Sequence, residues 1–584
     1  MTLPSATGYP VVVSSSSLIW SSPTRIDIPP SLVGQVRSLL RVTDKSADFQ
    51  LKKARRGEEW MRSSLGDEEY DKKVAALEAR KDRNLLREDK TGAWVPSGVR
   101  GLLSEQLGLK VERRFDHGEM SPLPWKVTPR ELFGGNPFAH QQMGAEAIWS
   151  GAGPSTVELP CGTGKSLMFA LILREIGRRA AVLASSRVIA DQLYSLLLAL
   201  LGPRFVGQYN GDSKGIGKLI TVCSAMATKN LRPGSAAWEH LSDAEVLLGD
   251  ECHTFAADVL ESQALGLFAK ARWRGFATAS KVRGDGLEKI LLGVVGPTAY
   301  GMTFRQAVEA GLLAKPHLVS VEVESGVEYW ARDADRMTRA HLYESEAVAN
   351  LAADMTKGLM AAGYSVLLLV DEFPQAAMLA ERLPGALVMH GGTGSYSVTL
   401  DLEGVEPMEV SLGRVLRFRD GPMSAESALE AWRADREVVS ELMPVEGDGA
   451  PLRVLGIKKS SETGQQLLPA HLRDREVADV QRTFNEAESP TAMIATSAGR
   501  VGVDIRPARN MALLYLVGGA SEVSLVQGMG RATRPQGKDH FLFVDFRVPA
   551  LDRHFLARRE ILERMWGRPT EVSVEQVRKV WGRS

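Results

Sequence analysis

Cysteine is scarce: 584 residues contain three, Cys161, Cys223 and Cys252. Three thiols without paired spacing exclude a disulfide framework and a cysteine zinc site, so they read as small buried residues. Net charge is lacking too, since 71 basic residues balance 71 acidic ones. That balance excludes a chain coated in positive charge, while leaving room for a local groove that grips phosphates. No apolar run approaches the roughly 20 residues needed to cross a bilayer. The serine-rich start, Met1 to Trp20, has no basic segment ahead of a long apolar core, so it does not read as an export signal. No membrane contact is expected, and the cytoplasm of a bacterium or an infected host cell is the expected setting. Repeats of roughly 20 to 50 residues are missing, as is low-complexity sequence beyond Ser14 to Ser17.

What is present is a globular composition, 44% hydrophobic and 24% charged, in a chain long enough for about three to four domains. It is organised around Val157 to Ser166. A short apolar run, Thr156 to Leu159, passes into Gly162-Thr163-Gly164-Lys165-Ser166 and then into the apolar segment Leu167 to Leu173. The order is strand, glycine turn, buried helix. Glycines let backbone N–H groups curl around a phosphate, the helix N-terminus adds partial positive charge, Lys165 reaches the outer phosphates and the Ser166 hydroxyl can ligate Mg²⁺. The strict phosphate-loop pattern wants a further glycine where Leu159 stands, so this stretch alone also fits an ordinary glycine-rich turn.

Apolar strands alternate with helical segments on either side of this loop, which predicts a parallel sheet with its ligand at the strands' carboxyl ends. After helix 139–149 and the loop come strand 180–184, helix 188–201, strand 219–223 and strand 245–248. A second series opens with strand 366–370, helix 374–383 and strand 386–389, and resumes with helix 475–485 and strands 492–495, 511–517 and 541–544. Between them, alternating runs at 395–402 and 409–418, a helix at 425–442 and a loop at 459–469 read as an insert. The expected fold is therefore α/β, with two tandem parallel-sheet lobes. The boundaries are 1–128 for an N-terminal accessory domain with a solvated helix, 129–314 and 315–550 for the lobes with an insert at about 394–470, and 551–584 for a helical tail. Trp94 and Trp125 are expected in the core.

Downstream of the loop, an apolar strand ends in Asp250-Glu251-Cys252-His253. A carboxylate at a strand tip can hold Mg²⁺, and its neighbour can polarise the water that attacks a γ-phosphate. With this pair the chain resembles a superfamily 2 helicase or translocase of the DExH kind, whose lobes are RecA-like. Leu159 to Ser166 resembles its motif I and Asp250 to His253 its motif II, while Ala277 to Ser280 is similar to motif III. Ala184-Ser185-Ser186-Arg187 and Thr221 to Ser224 sit where the family contacts a nucleic-acid backbone. Pro137 to Gln141 is similar to its adenine-reading element without the usual arginine. In the second lobe, Ala495 to Ile505 resembles motif V, and Gln527-Gly528-Met529-Gly530-Arg531-Ala532-Thr533-Arg534 matches the spacing of motif VI. Within the superfamily the layout is most similar to phage-type UvsW and XPB-like helicases.

The resemblance implies an ATP- and Mg²⁺-dependent motor on nucleic acid, DNA rather than RNA, acting in replication, recombination or repair. It implies Lys165, Gly162, Thr163, Gly164 and Ser166 at the phosphates, Ser166 and Asp250 at Mg²⁺, Glu251 at the attacking water and Gln141 at the adenine. Gln527, Arg531 and Arg534 would respond to the γ-phosphate on closure, with Gly502 and Asp504 also near the nucleotide. Ser186, Arg187, Thr221 and Thr496 would face nucleic acid, and Thr278 and Gly502 would couple the two functions. Protein partners would use residues 1–128 or the insert. Two other readings stand beside it. One is the motor of a nuclease or restriction assembly, for which Glu88-Asp89-Lys90 offers a Glu-x-Lys that, without a flanking strand or a paired upstream carboxylate, otherwise reads as a solvated helix end. The other is a nucleotide-gated binding module without unwinding.

Overall fold

The computed structural model describes residues 17–389 and 477–581, apart from 152, 211–214, 256, 280–285, 332, 497–504, 506, 508 and 533–539. Between those spans it describes only the strands Tyr396–Asp401, Met408–Leu412 and Arg453–Lys459. The chain forms two compact units, residues 1–307 and 308–584.

Each unit contains a seven-stranded sheet in which every neighbouring pair is parallel. In the first the order is Val206–Tyr209, Ile220–Ser224, Ala180–Ala184, Val246–Asp250, Trp273–Thr278, Ser155–Glu158 and Thr298–Gly301. In the second it is Leu387–Met389, Ala492–Ala495, Ser365–Val370, Met511–Leu516, His540–Arg547, Lys315–Glu322 and Thr570–Val572. Strands covered on both faces need mostly apolar side chains, and Val-Leu-Leu-Leu-Val at 366–370 supplies them. Val366, Leu368 and Val370 join the cluster under helices Glu346–Ala361 and Phe373–Arg382, while Leu367 and Leu369 face Phe484, Leu525, Met529 and Leu562 on the opposite side. These are two tandem RecA-like lobes, as expected.

Some expectations change. The residues after 550 do not form a purely helical tail. Helix Asp552–Met565 packs on the sheet, and Thr570–Val572 is the sheet's last strand before helix Val574–Trp581. Strand Trp273–Thr278 escapes an apolar-run search because Arg274 interrupts it. That guanidinium is only 1% exposed and donates to the carbonyls of Ala271 and Ala264 at 2.9 and 2.7 Å. The insert contributes a separate antiparallel three-stranded sheet, including the unanticipated strand Arg453–Lys459. The helix expected at 425–442 lies outside the described residues.

The accessory region is a five-stranded mixed sheet, ordered Arg87–Asp89, Gly92–Pro96, Arg25–Ile28, Ser17–Ser22 and Lys110–Arg113. Three helices, Lys45–Arg56, Glu58–Leu65 and Asp67–Lys81, replace the expected single one and close over a small core of Ala47, Leu51, Ala54, Tyr70 and Leu77. Glu88 and Asp89 lie on an edge strand rather than a helix end, paired with Arg37 and Arg25. Trp94 and Trp125 are half-buried, each with an arginine over its ring, Arg25 at 5.3 Å and Arg174 at 5.6 Å, so neither is fully core.

Candidate nucleotide site

Three strands of the first sheet end side by side, carrying Asp250, Thr278 and the glycine loop in that order. The loop turns through Gly162 at φ +90° and Gly164 at φ +85°, a region that side chains resist. Gly164 is also the N-cap of helix Lys165–Ile176. A Cβ there would stand 2.1 Å from Gln141 Nε2, so close approach as well as backbone angle demands glycine. The loop is braced from helix Ala139–Trp149. His140 Nε2–H and Gln141 Nε2 both donate to the Thr163 carbonyl, at 2.8 and 3.0 Å, and Thr163 Oγ1 donates to Pro160 O at 2.8 Å. Sequence reasoning gave His140 no role. Its neighbour Gln141, assigned to the adenine, spends its amide on the loop and on the Phe138 N–H at 3.0 Å.

Lys165 is 7% exposed, with Nζ 2.8 Å from Glu251 Oε1 and 3.3 Å from Leu159 O. Burial alone would depress its pKa, but Glu251, Cys161 and Asp250 carry it upward. Asp250, 6% exposed, is pushed up to about 7 by burial and by the adjacent Glu251 carboxylate, with Lys165 opposing. Glu251 is the single non-glycine residue at positive φ, +47°, among the described residues, and its N–H donates to Asp250 Oδ1 at 3.0 Å. A left-handed glutamate is a strained backbone that persists only where its surroundings hold it.

Thr278 is fully buried and joins the three strand ends. Its carbonyl accepts from Leu159 N at 3.0 Å, and its hydroxyl lies 2.5 Å from His253 Nδ1. Ser166 is half-buried in the first turn of the helix after the loop. Ser186 caps helix Arg187–Leu201, with Oγ accepting from Ile189 N at 3.3 Å, and Arg187 is exposed beside it, 3.5 Å from Asp191. Thr221 needs correcting. It sits inside strand Ile220–Ser224 at 0% exposure, its hydroxyl 3.4 Å from His240 Nε2, and so presents no surface to a nucleic acid. In the second unit, Thr496 follows strand Ala492–Ala495, 6% exposed, with its N–H on Met389 O at 3.0 Å. Gln527 and Arg531 lie on helix Glu522–Ala532. Gly502, Asp504 and Arg534 lie outside the described residues.

Residues 135–281, which hold the loop and both carboxylates, match the family model of the Type III restriction enzyme, res subunit. A "DNA 3'-5' helicase XPB" of Mycobacterium tuberculosis is 28% identical over 191 residues, 32% of this chain and 34% of that protein. Its namesake from Kineococcus radiotolerans is 26% identical over 261 residues, 43% of this chain and 45% of that protein. The matched region thus spans less than half the length of either relative. The crystal structure of T4 UvsW aligns over 96% of this chain and 99% of its own, at 11% identity and a TM-score of 0.38. Among the described residues, no helix is long and apolar enough to cross a membrane. Over the loop and both carboxylates, residues 135–281 are thus similar to the res-subunit family model, and part of the chain is similar to the two DNA helicases.

Proposed function

We propose that the chain hydrolyses ATP at the Gly162–Ser166 loop and uses the cycle to move along DNA as a helicase or translocase. The observation that carries this reading is the buried Lys165–Glu251 pair at 2.8 Å, beside Asp250, at the mouth of a loop whose two glycines have positive φ. A lysine tied to a carboxylate can trade that partner for a phosphate, and the trade would leave Glu251 to take a proton from the attacking water. As the water oxygen bonds to the γ-phosphorus, the bond to the bridging oxygen breaks and ADP departs with that electron pair. The helix N-terminus at Gly164–Ser166 and the Lys165 ammonium stabilise the charge that develops.

The donor set fits Mg²⁺. A carboxyl pushed up by burial and by a like charge, as at Asp250, is one that a divalent cation would restore to its ionised form. Asp250 and the Ser166 hydroxyl would hold the cation, which would neutralise phosphate charge. Gln527, Arg531 and Arg534 are assigned to sensing the γ-phosphate, and Ser186, Arg187 and Thr496 to the nucleic-acid backbone. The relatives' printed names favour DNA over RNA and 3'–5' polarity. The test is steady-state ATP turnover with and without single-stranded DNA or RNA, beside Lys165→Ala. We expect DNA-stimulated turnover that the variant abolishes; equal turnover in the variant would remove Lys165 from the chemistry.

A further inference from the structure

The accessory domain does not stand apart from the first lobe; it grips the elements that follow the site's two carboxylates and Thr278. Helix Ala257–Ser262 comes directly after the Asp250–His253 turn. From the accessory domain, Arg83 pairs with Asp258 and, at 2.8 Å, with one oxygen of Glu261, while Arg87 takes the other oxygen at 2.5 Å. The Glu261 side chain is 8% exposed, so its two arginines are what make a carboxylate tolerable there. Helix Glu288–Val295, the next described helix after Thr278, is held as well. Lys289 Nζ donates to Leu39 O at 2.9 Å, and Gly98 lies so near that a Cβ would be 2.2 Å from Leu292 O. Ala257, Leu287 and Ile290 share one apolar cluster with Leu18 and Ile26 of the accessory sheet and with Val99, in the turn after strand Gly92–Pro96.

We propose that Arg83 and Arg87 are positioning residues for the hydrolytic step: by fixing Glu261 they fix the helix behind motif II, and with it the strained Glu251 backbone. This rests on the ATPase reading above. Glu251 at φ +47° needs restraint from both sides. Asp250 and the sheet supply it on one side; helix Ala257–Ser262, clamped to the accessory domain, supplies it on the other. A ligand that shifts the accessory domain would therefore act on the rate of hydrolysis rather than on nucleotide affinity.

The test compares the full-length Arg83→Ala/Arg87→Ala double variant with Arg83→Lys/Arg87→Lys and with Arg25→Ala, whose ion pairs to Asp27 and Asp89 stay inside the accessory sheet. Turnover, fluorescent-nucleotide affinity, thermal midpoint and amide exchange of peptide 246–262 are read together. A displaced catalytic group of this kind predicts a kcat about tenfold to a hundredfold lower in the alanine double variant, with affinity within about twofold. Peptide 246–262 should exchange faster, lysine should restore part of the rate, and Arg25→Ala should leave turnover unchanged. If kcat matches that of Arg25→Ala, or if kcat, affinity and midpoint fall together without rescue by lysine, the proposal is overturned. If the wild type hydrolyses no ATP, the functional reading fails instead. Exchange of peptide 246–262 then decides the clamp by itself, and unchanged exchange overturns it.

Discussion

Two neighbouring carboxylates share one buried lysine, and this fixes how the site should respond to pH. Asp250 sits at about 7, raised by burial and by Glu251, whereas a cation needs it ionised. Below pH 7 the cation must displace a proton, so Mg²⁺-dependent binding of a fluorescent nucleotide should strengthen by up to about tenfold per pH unit below 7 and level off above it. Isothermal titration in two buffers of different ionisation enthalpy should show a proton released on binding near neutral pH. A pH-independent affinity across pH 6 to 8 would take Asp250 out of the cation's shell.

Gly164 gives a second expectation at this scale. Gly164→Ala combines a left-handed φ with a 2.1 Å clash against Gln141 Nε2, and should cost about 1–3 kcal/mol in chemical denaturation as well as nucleotide binding. Adding Gln141→Ala removes the clash but not the backbone penalty, so it should recover only part of the stability; complete recovery would mean that the φ carries no cost. Both glycines and both carboxylates were legible in the sequence, because phosphate loops need small residues at fixed offsets. Gln141 was legible as a position but not as a contact, since its amide bonds to a carbonyl from a different element.

For strands and helices, continuous apolar runs such as Ala180–Ala184 and Ala492–Ala495 announced themselves, and strands interrupted by a charge did not. Trp273–Thr278 hid behind Arg274, whose donors are satisfied by the carbonyls of Ala264 and Ala271, which only the folded chain brings near. Thr221 failed for a related reason. In a strand covered on both faces, nothing in the sequence says how far a residue lies from the open carboxyl end. Helix Asp552–Met565 shows the same limit. Arg558, 4% exposed, meets Asp545, 1% exposed, at 2.8 Å and also donates to Gly519 O at 3.2 Å, in the turn leading to helix Glu522–Ala532. Arg558→Met leaves a buried carboxylate unpaired and should cost about 3–5 kcal/mol in urea unfolding. Adding Asp545→Leu should recover most of it, and a single variant as stable as the wild type would show the pair to be dispensable.

Over the whole molecule, the insert's sheet pairs only with itself among the described strands, so its removal should leave the loop and both carboxylates of the first unit in place. Replacing residues 394–470 with a short glycine-serine linker should leave basal ATP turnover within about threefold of the wild type. A folded deletion protein without turnover would make the insert part of the site. The two compact units also differ in when they can be completed during synthesis. The first closes its sheet with residues 298–301, whereas in the second Lys315–Glu322 waits for His540–Arg547 and Thr570–Val572 as its neighbours. With a ribosome adding about 5–20 residues per second, that strand stays unpaired for roughly 10 to 50 s after it is made. The first unit's sheet can therefore be finished while the second still has an open edge, and it is the second lobe, not the first, whose unpaired strand stays exposed while the chain is being made.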